Sequence, residues 1–316
     1  MIIETGYVEV PVDGLRMGSL LAHPAGQGTW PGIVFYSDIF QLTGPTVRWC
    51  KRLAGHGFVV LAPEIYHRIE PAGTVLAFDD EGKDRGQADA ESTPVAHFDA
   101  DIRAALAFLA AHPKVAPGQL GAAGHCTGGH IAFRAAFAPE VKATACWYAT
   151  GLHDGKLGKD PDAGTLTRAR EVRGELLMVF GTEDPHTPDD GRRTIKGALE
   201  ESGARFEWRL YEAAHAFGRD EGYRYDPEAT DAAFAETLAL YRRAFDRLAA
   251  ELVHEIVASA GHAVGGDKNW FSVGQDGPAA DQNVPDARWP RVGEHRVGGR
   301  GQIWPVYRRP QPGHVK

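Results

Sequence analysis

A short apolar run, Gln119-Leu120-Gly121-Ala122-Ala123-Gly124, leads through Gly124-His125-Cys126-Thr127-Gly128-Gly129 into a segment whose Ile131, Ala132, Ala135 and Ala136 recur at helical spacing. The pattern predicts a buried strand that turns sharply into a helix, with Cys126 at the bend. Glycine at 124 and 128 has a steric reason. A side chain at either position would collide with the neighbouring strand or helix, and the residue between them is held in strained backbone. The same letters also spell a glycine-rich turn carrying a buried cysteine, so the rest of the chain must decide whether chemistry happens there.

Strand-like and helix-like runs alternate from about residue 5 to about residue 250, the signature of a mostly parallel sheet with helices on both faces. An antiparallel starter hairpin is expected from Tyr7–Val12 and Met17–Ala22 around Asp13-Gly14. Buried strands at Gly32–Tyr36 and Phe58–Pro63 flank a helix near Pro45–Gly55. An irregular, acidic stretch then leads to an amphipathic helix over His97–Ala111 and to the strand before Cys126. Strands at Val141–Tyr148, Leu176–Phe180 and Arg205–Tyr211, with helices near Pro188–Ser202 and Pro227–Leu252, complete a domain of residues 1–252. Between Gly261 and Lys316 ten glycines and six prolines fall among 56 residues without periodicity, so residues 253–316 are expected to form a disordered or loosely packed tail with no catalytic role. Trp270, Trp289 and Trp304 leave an interaction role open for it.

At 316 residues, 43% hydrophobic and 24% charged, the chain fits a globular protein with one large core. A formal net charge of −8, with no lysine or arginine block before the tail, argues against a nucleic-acid partner. No apolar run is long enough to cross a bilayer, and the N-terminus lacks a basic segment followed by an apolar one. Cys50, Cys126 and Cys146 are too scattered for a disulfide framework, and no Cys-x-x-Cys metal pair occurs. A reducing, cytoplasmic setting is the expectation, and it would keep a thiol usable.

A thiol nucleophile needs a base, and the base needs an orienting group. The apolar run Leu176–Phe180 enters Gly181-Thr182-Glu183-Asp184-Pro185, which places Asp184 beyond a strand's carboxyl end, where open α/β sheets gather their active sites. The strand ending at Tyr211 is followed by Glu212-Ala213-Ala214-His215, which brings His215 to the same edge. Nucleophile, acid and histidine in the order Cys126, Asp184, His215, with the nucleophile on a Gly-x-Cys-x-Gly elbow, is the arrangement of the α/β-hydrolase fold. The helix N-terminus at Cys126 favours a thiolate. His215 would take its proton, and Asp184 would hold the imidazole in one tautomer. The oxyanion formed on attack needs donors: the backbone N–H of Thr127 and, from the loop after Gly32–Tyr36, that of Ile39. Sulfur also restricts the substrate. Thiolate leaves a tetrahedral intermediate far more readily than an ordinary alkoxide, so enol esters, aryl esters and thioesters should turn over while simple alkyl esters and amides should be poor substrates.

Over about residues 5 to 250 the chain resembles the dienelactone hydrolase (carboxymethylenebutenolidase) family. The matching segments are Ser37-Asp38-Ile39-Phe40, Leu61-Ala62-Pro63-Glu64-Ile65-Tyr66, Gly124–Gly129, Gly181-Thr182-Glu183-Asp184 and His215-Ala216-Phe217-Gly218-Arg219. The resemblance implies a Cys126-Asp184-His215 triad that opens a cyclic enol ester without a metal or organic cofactor. It also implies that Arg219 holds a substrate carboxylate, with a second arginine in the stretch before His97, for which Arg85 is the match and Lys83 its neighbour. Asp38 departs from the family, which commonly carries glutamate there in contact with the resting thiol; a side chain one methylene shorter leaves that contact absent or water-bridged, and the alternative is that Asp38 only caps the following loop. His125 is expected to pack, His186 to lie in a loop, Cys50 and Cys146 to be buried structural thiols, and Tyr66 and Trp147 to line the pocket or pack. The reading is a hydrolase of small carboxylate-bearing lactones or related activated esters. Its rivals are a broader carboxylesterase or thioesterase on the same triad and a non-catalytic binding protein of the same fold.

Overall fold

In the computed structural model, which describes residues 1–263, the chain opens with the hairpin its turn residues call for. β1 (Ile3–Val12) and β2 (Leu15–Pro24) pair antiparallel through Asp13 and Gly14, both at positive φ (48° and 76°). That two-residue geometry matches the right-handed twist of the paired strands. Then follow β3 (Trp30–Tyr36), α1 (Gly44–Gly55), β4 (Val59–Pro63), α2 (Asp80–Ser92), α3 (Val95–Ala111), β5 (Val115–His125) and α4 (Thr127–Ala135). The sequence continues with β6 (Val141–Trp147), a 3-10 segment at Leu166–Glu171, β7 (Glu175–Gly181), α5 (Asp189–Ser202), β8 (Arg205–Tyr211) and α6 (Pro227–Ala263). The eight strands form one sheet in the order β1-β2-β4-β3-β5-β6-β7-β8, antiparallel from β1 to β4 and parallel from there on.

Alternation along the buried strands divides the core between the two faces. Val34, Val59, Leu61, Leu176 and Met178 point to the face covered by α3, α4 and α5 through residues such as Phe98, Ile102, Ile131 and Ile195. Ile33, Phe35, Val60, Leu177 and Val179 point to the other, where α1 and α6 supply Trp49, Leu53, Phe234 and Tyr241. The Tyr241 hydroxyl donates to the Ala122 carbonyl at 2.6 Å, so the one polar atom of that ring is satisfied against β5.

Two elements differ from the sequence expectation. The acidic stretch before α3 contains a helix, α2, which no apolar stripe announces: its buried residues are Gly82, Gly86 and Asp89. It stands on capping and close approach instead. Asp79 Oδ1 accepts the Gly82 N–H at 2.8 Å, and Asp80 and Glu81 occupy the first turn, where the helix end attracts negative charge. Helix α6 runs to Ala263, past the Leu252 limit expected of it, because no proline and no glycine before Gly261 interrupts that stretch. The remainder of the expected tail, with Trp270, Trp289 and Trp304, lies outside the described residues. Among the described residues no helix is long and apolar enough to cross a membrane.

Candidate active site

Strand β5 ends at His125 and α4 begins at Thr127, so Cys126 alone makes the turn, at φ 57° and ψ −122°. A non-glycine residue held there is strained, and its surroundings must fix it. They do so through its backbone. Cys126 N–H donates to Trp147 O at 3.0 Å, and its carbonyl accepts from Gly129 at 2.9 Å and from His130 and Thr150 at 3.3 Å. A Cβ on Gly124 would run into the Gly128 carbonyl, and one on Gly128 into the carbonyls of Tyr36 and Ser37. Both glycines are therefore required for β5, β3 and α4 to meet closely. The Cys126 thiol stands 4.0 Å from the hydroxyls of Thr127 and Thr150, at the positive end of α4.

The loops after β7 and β8 bring the other two groups. His215 Nδ1 and Asp184 Oδ2 are 2.7 Å apart, both buried, and His215 lines the same cleft as the Cys126 thiol. Asp184 Oδ1 accepts the His186 N–H at 2.8 Å. Burial by itself would raise the Asp184 carboxyl, but its bond to and attraction by His215 hold it below the ordinary value. For His215, burial opposes the charged ring; the negative charge of Cys126 and the bond to Asp184 overcome it and lift the ring from 6.5 to about 9. An imidazolium is the state these contacts favour for His215.

These groups open on a cleft of about 1050 Å³ lined by Asp38, Ile39, Phe40, Cys126, Thr127, His215 and Arg219, with α2, the 150–158 loop and the 222–224 loop as its outer walls. Thr127 is the first residue of α4, so its N–H has no acceptor within the helix. Asp38 is buried, which raises its carboxyl, while Arg219 and the Phe40 N–H at 3.0 Å oppose the rise. Arg219 Nη1 lies 3.7 Å from Asp38 Oδ2, and its guanidinium stacks 4.2 Å from the Phe78 ring centroid and 5.3 Å from that of Phe40.

Arg85 is not brought to this cleft, and the expectation that it would be is corrected here. Its guanidinium forks onto Glu70 at 2.6 and 2.5 Å, and it is not among the lining residues. On a helix, residues two apart do not share a face, and Lys83 takes the cleft-facing position instead. His125 packs: its ring lies 4.7 Å from Trp49 and 5.0 Å from Phe35, and burial, with the charge of His215, lowers it to about 3. Tyr66 and Trp147 are buried and outside the lining, and Cys50 and Cys146 are buried thiols raised by that burial. His186 lines the cleft, its ring 4.5 Å from His215 in an edge-on contact. Sequence reasoning missed Thr150, Phe78 and Arg224, which reach the cleft from irregular segments with no motif of their own.

Strand order, elbow and the acid and histidine on successive strand ends define this protein as an α/β-hydrolase. Comparison with known proteins narrows the class. The profile of the dienelactone hydrolase family matches residues 17–245, and the chain belongs to that family of ester- and lactone-cleaving hydrolases. A Saccharomyces cerevisiae protein named "Putative carboxymethylenebutenolidase" is 35% identical over 62% of this chain and 72% of its own. The carboxymethylenebutenolidase of Pseudomonas sp. strain P51 is 29% identical over 73% of this chain and 91% of its own. A Klebsiella pneumoniae crystal structure titled "Putative Dienelactone Hydrolase" superimposes with a TM-score of 0.66 at 26% identity, covering 76% of this chain and 99% of that one.

Proposed function

We propose that the protein hydrolyses small carboxylate-bearing lactones and related activated esters at Cys126, through a thioester. The observation that carries the reading is the 2.7 Å contact of Asp184 with His215 in the cleft that also holds Cys126, at a strained strand-to-helix bend. Cys126 Sγ adds to the ester carbonyl carbon and the carbonyl electron pair moves onto oxygen, which the Thr127 and Ile39 N–H groups receive. Collapse re-forms the carbonyl and breaks the acyl C–O bond, and the departing oxygen takes the proton of His215. In a lactone that oxygen stays tethered to the acyl chain. Water then gives a proton to His215 as it attacks the thioester, and the second collapse expels the thiolate beside the restored imidazolium. Asp184 keeps the ring oriented throughout. Arg219 receives the substrate carboxylate in competition with Asp38, 3.7 Å away. The names of the curated relatives agree with this chemistry.

Cys126→Ala should abolish turnover of p-nitrophenyl acetate, and retained turnover would overturn the assignment of the nucleophile. A broader esterase or thioesterase reading is favoured by one observation, a cleft of about 1050 Å³ at the upper end of ordinary ligand sites. Comparing a dienelactone with neutral aryl esters and acyl thioesters separates the two: a preference for the lactone supports the narrower reading.

A further inference from the structure

Four lysine and arginine side chains line the cleft: Lys83, Lys156, Arg219 and Arg224. Three already have acidic partners. Lys83 sits 3.4 Å from Asp80 and 3.7 Å from Asp84, Lys156 lies 2.9 Å from Asp154, and Arg219 lies 3.7 Å from Asp38. Arg224 differs from them. Among the described residues it makes no ion pair, its Nε is buried without a hydrogen-bond partner, and its guanidinium stands 5.3 Å off the Tyr223 ring centroid. It is only partly exposed, so water compensates its charge incompletely, and an anion at the cleft wall would complete it.

The segment carrying Arg224 is held in place. On one side Arg48 forks onto Asp220 at 2.6 and 2.7 Å and reaches Glu221 at 2.7 Å. On the other the Asp226 N–H donates to Phe217 O at 3.0 Å, and Asp226 Oδ1 accepts the Ala229 N–H at the start of α6, also at 3.0 Å. Arg224 and His186 both line the cleft, whereas Arg219 stands against Asp38 and Phe78.

We propose that Arg224 is a second anion-binding group of the cleft, which receives a carboxylate of the ester or lactone substrate at the cleft wall. A planar guanidinium with free donors suits a carboxylate better than the paired lysines do. The proposal rests on the cleft being the hydrolase site, and it makes the enzyme selective for anionic substrates at two cations rather than one.

Three activated esters test it: p-nitrophenyl acetate, which is neutral; mono-(4-nitrophenyl) glutarate, with its carboxylate in the acyl part; and 4-acetoxybenzoate, with its carboxylate in the leaving group. Arg224→Gln should lower the ratio of kcat/KM on one of the anionic esters to that on the neutral one by about tenfold or more, the loss of a charge-assisted contact. Arg85→Gln should leave both ratios as they are. Ratios unchanged by Arg224→Gln, or an Arg85→Gln variant that lowers them equally, would overturn the proposal. Binding of glutarate to the Cys126→Ala protein, measured by calorimetry, judges Arg224 separately from the nucleophile. Adding Arg224→Gln should weaken that binding about tenfold, and equal binding in both proteins would overturn the proposal whatever the thiol does.

Discussion

Replacing Asp184 with asparagine perturbs the charge arrangement on which the proposed chemistry depends while keeping the shape of the side chain. His215 is lifted from 6.5 to about 9 against burial, by Cys126 and Asp184 together. The lift of about 2.5 pH units is worth about 3.5 kcal/mol in favour of the imidazolium at roughly 1.4 kcal/mol for each unit. Cys126 supplies the largest raising effect and Asp184 the next, so asparagine should remove about one pH unit of the lift. It should also let the ring turn to the wrong tautomer, with a loss in kcat on the order of a thousandfold or more. The assay is kcat/KM on p-nitrophenyl acetate across the alkaline range. In the unaltered protein activity should hold until His215 loses its proton near pH 9, and in Asp184→Asn the fall should begin about one pH unit lower. An alkaline limb that stays in place would refute the reasoning. Stability carries the same signature. His215 is raised on folding, so its contribution is full below 6.5 and is lost as the pH climbs through about 9. Asp184 is depressed on folding, so its contribution is present above its usual value of 3.8 and is lost as the pH falls through its lower folded value. Thermal unfolding of Asp184→Asn should therefore vary less with pH on both flanks.

Arg219→Ala should impair carboxylate-bearing lactones at least about tenfold more than neutral aryl esters, because it removes the cation that lies against the Phe78 and Phe40 rings; equal losses in kcat/KM would argue against a carboxylate clamp. Gly86→Ala tests the oxyanion donor. A Cβ there would lie 2.5 Å from the Ile39 carbonyl oxygen and 3.1 Å from the Ile39 Cβ, so the Ile39 peptide must move. The expected outcome is a kcat reduced about tenfold or more with the alkylation rate of Cys126 by iodoacetamide preserved, and an undiminished kcat would remove Ile39 from that role.

What the sequence determined by itself follows from short-range rules. Asp13-Gly14 dictates a hairpin because those two residues accept positive φ, and the apolar runs at 33–36, 59–62 and 176–180 dictate buried strands because both of their faces are apolar. Gly124 and Gly128 around Cys126 announce the sharp bend, since no larger residue fits between the carbonyls that meet there. Helix α2 was illegible because it docks through glycines and a cap rather than through an apolar stripe, and a periodicity reading sees only the stripe. The tertiary structure alone decided which cations reach the cleft. Arg85 and Lys83 are two residues apart in one acidic stretch, and only the position of Glu70 and the turn of α2 send one to an ion pair and the other to the cleft wall. Arg224 likewise carries no mark in its neighbours along the chain. Among the described residues its lack of an ion pair depends on where Asp38, Asp80 and Asp154 stand in space, each already facing another cation. Local pattern sets backbone conformation because sterics act within a few residues. Charge pairing acts across the fold, between groups that only the folded chain brings together.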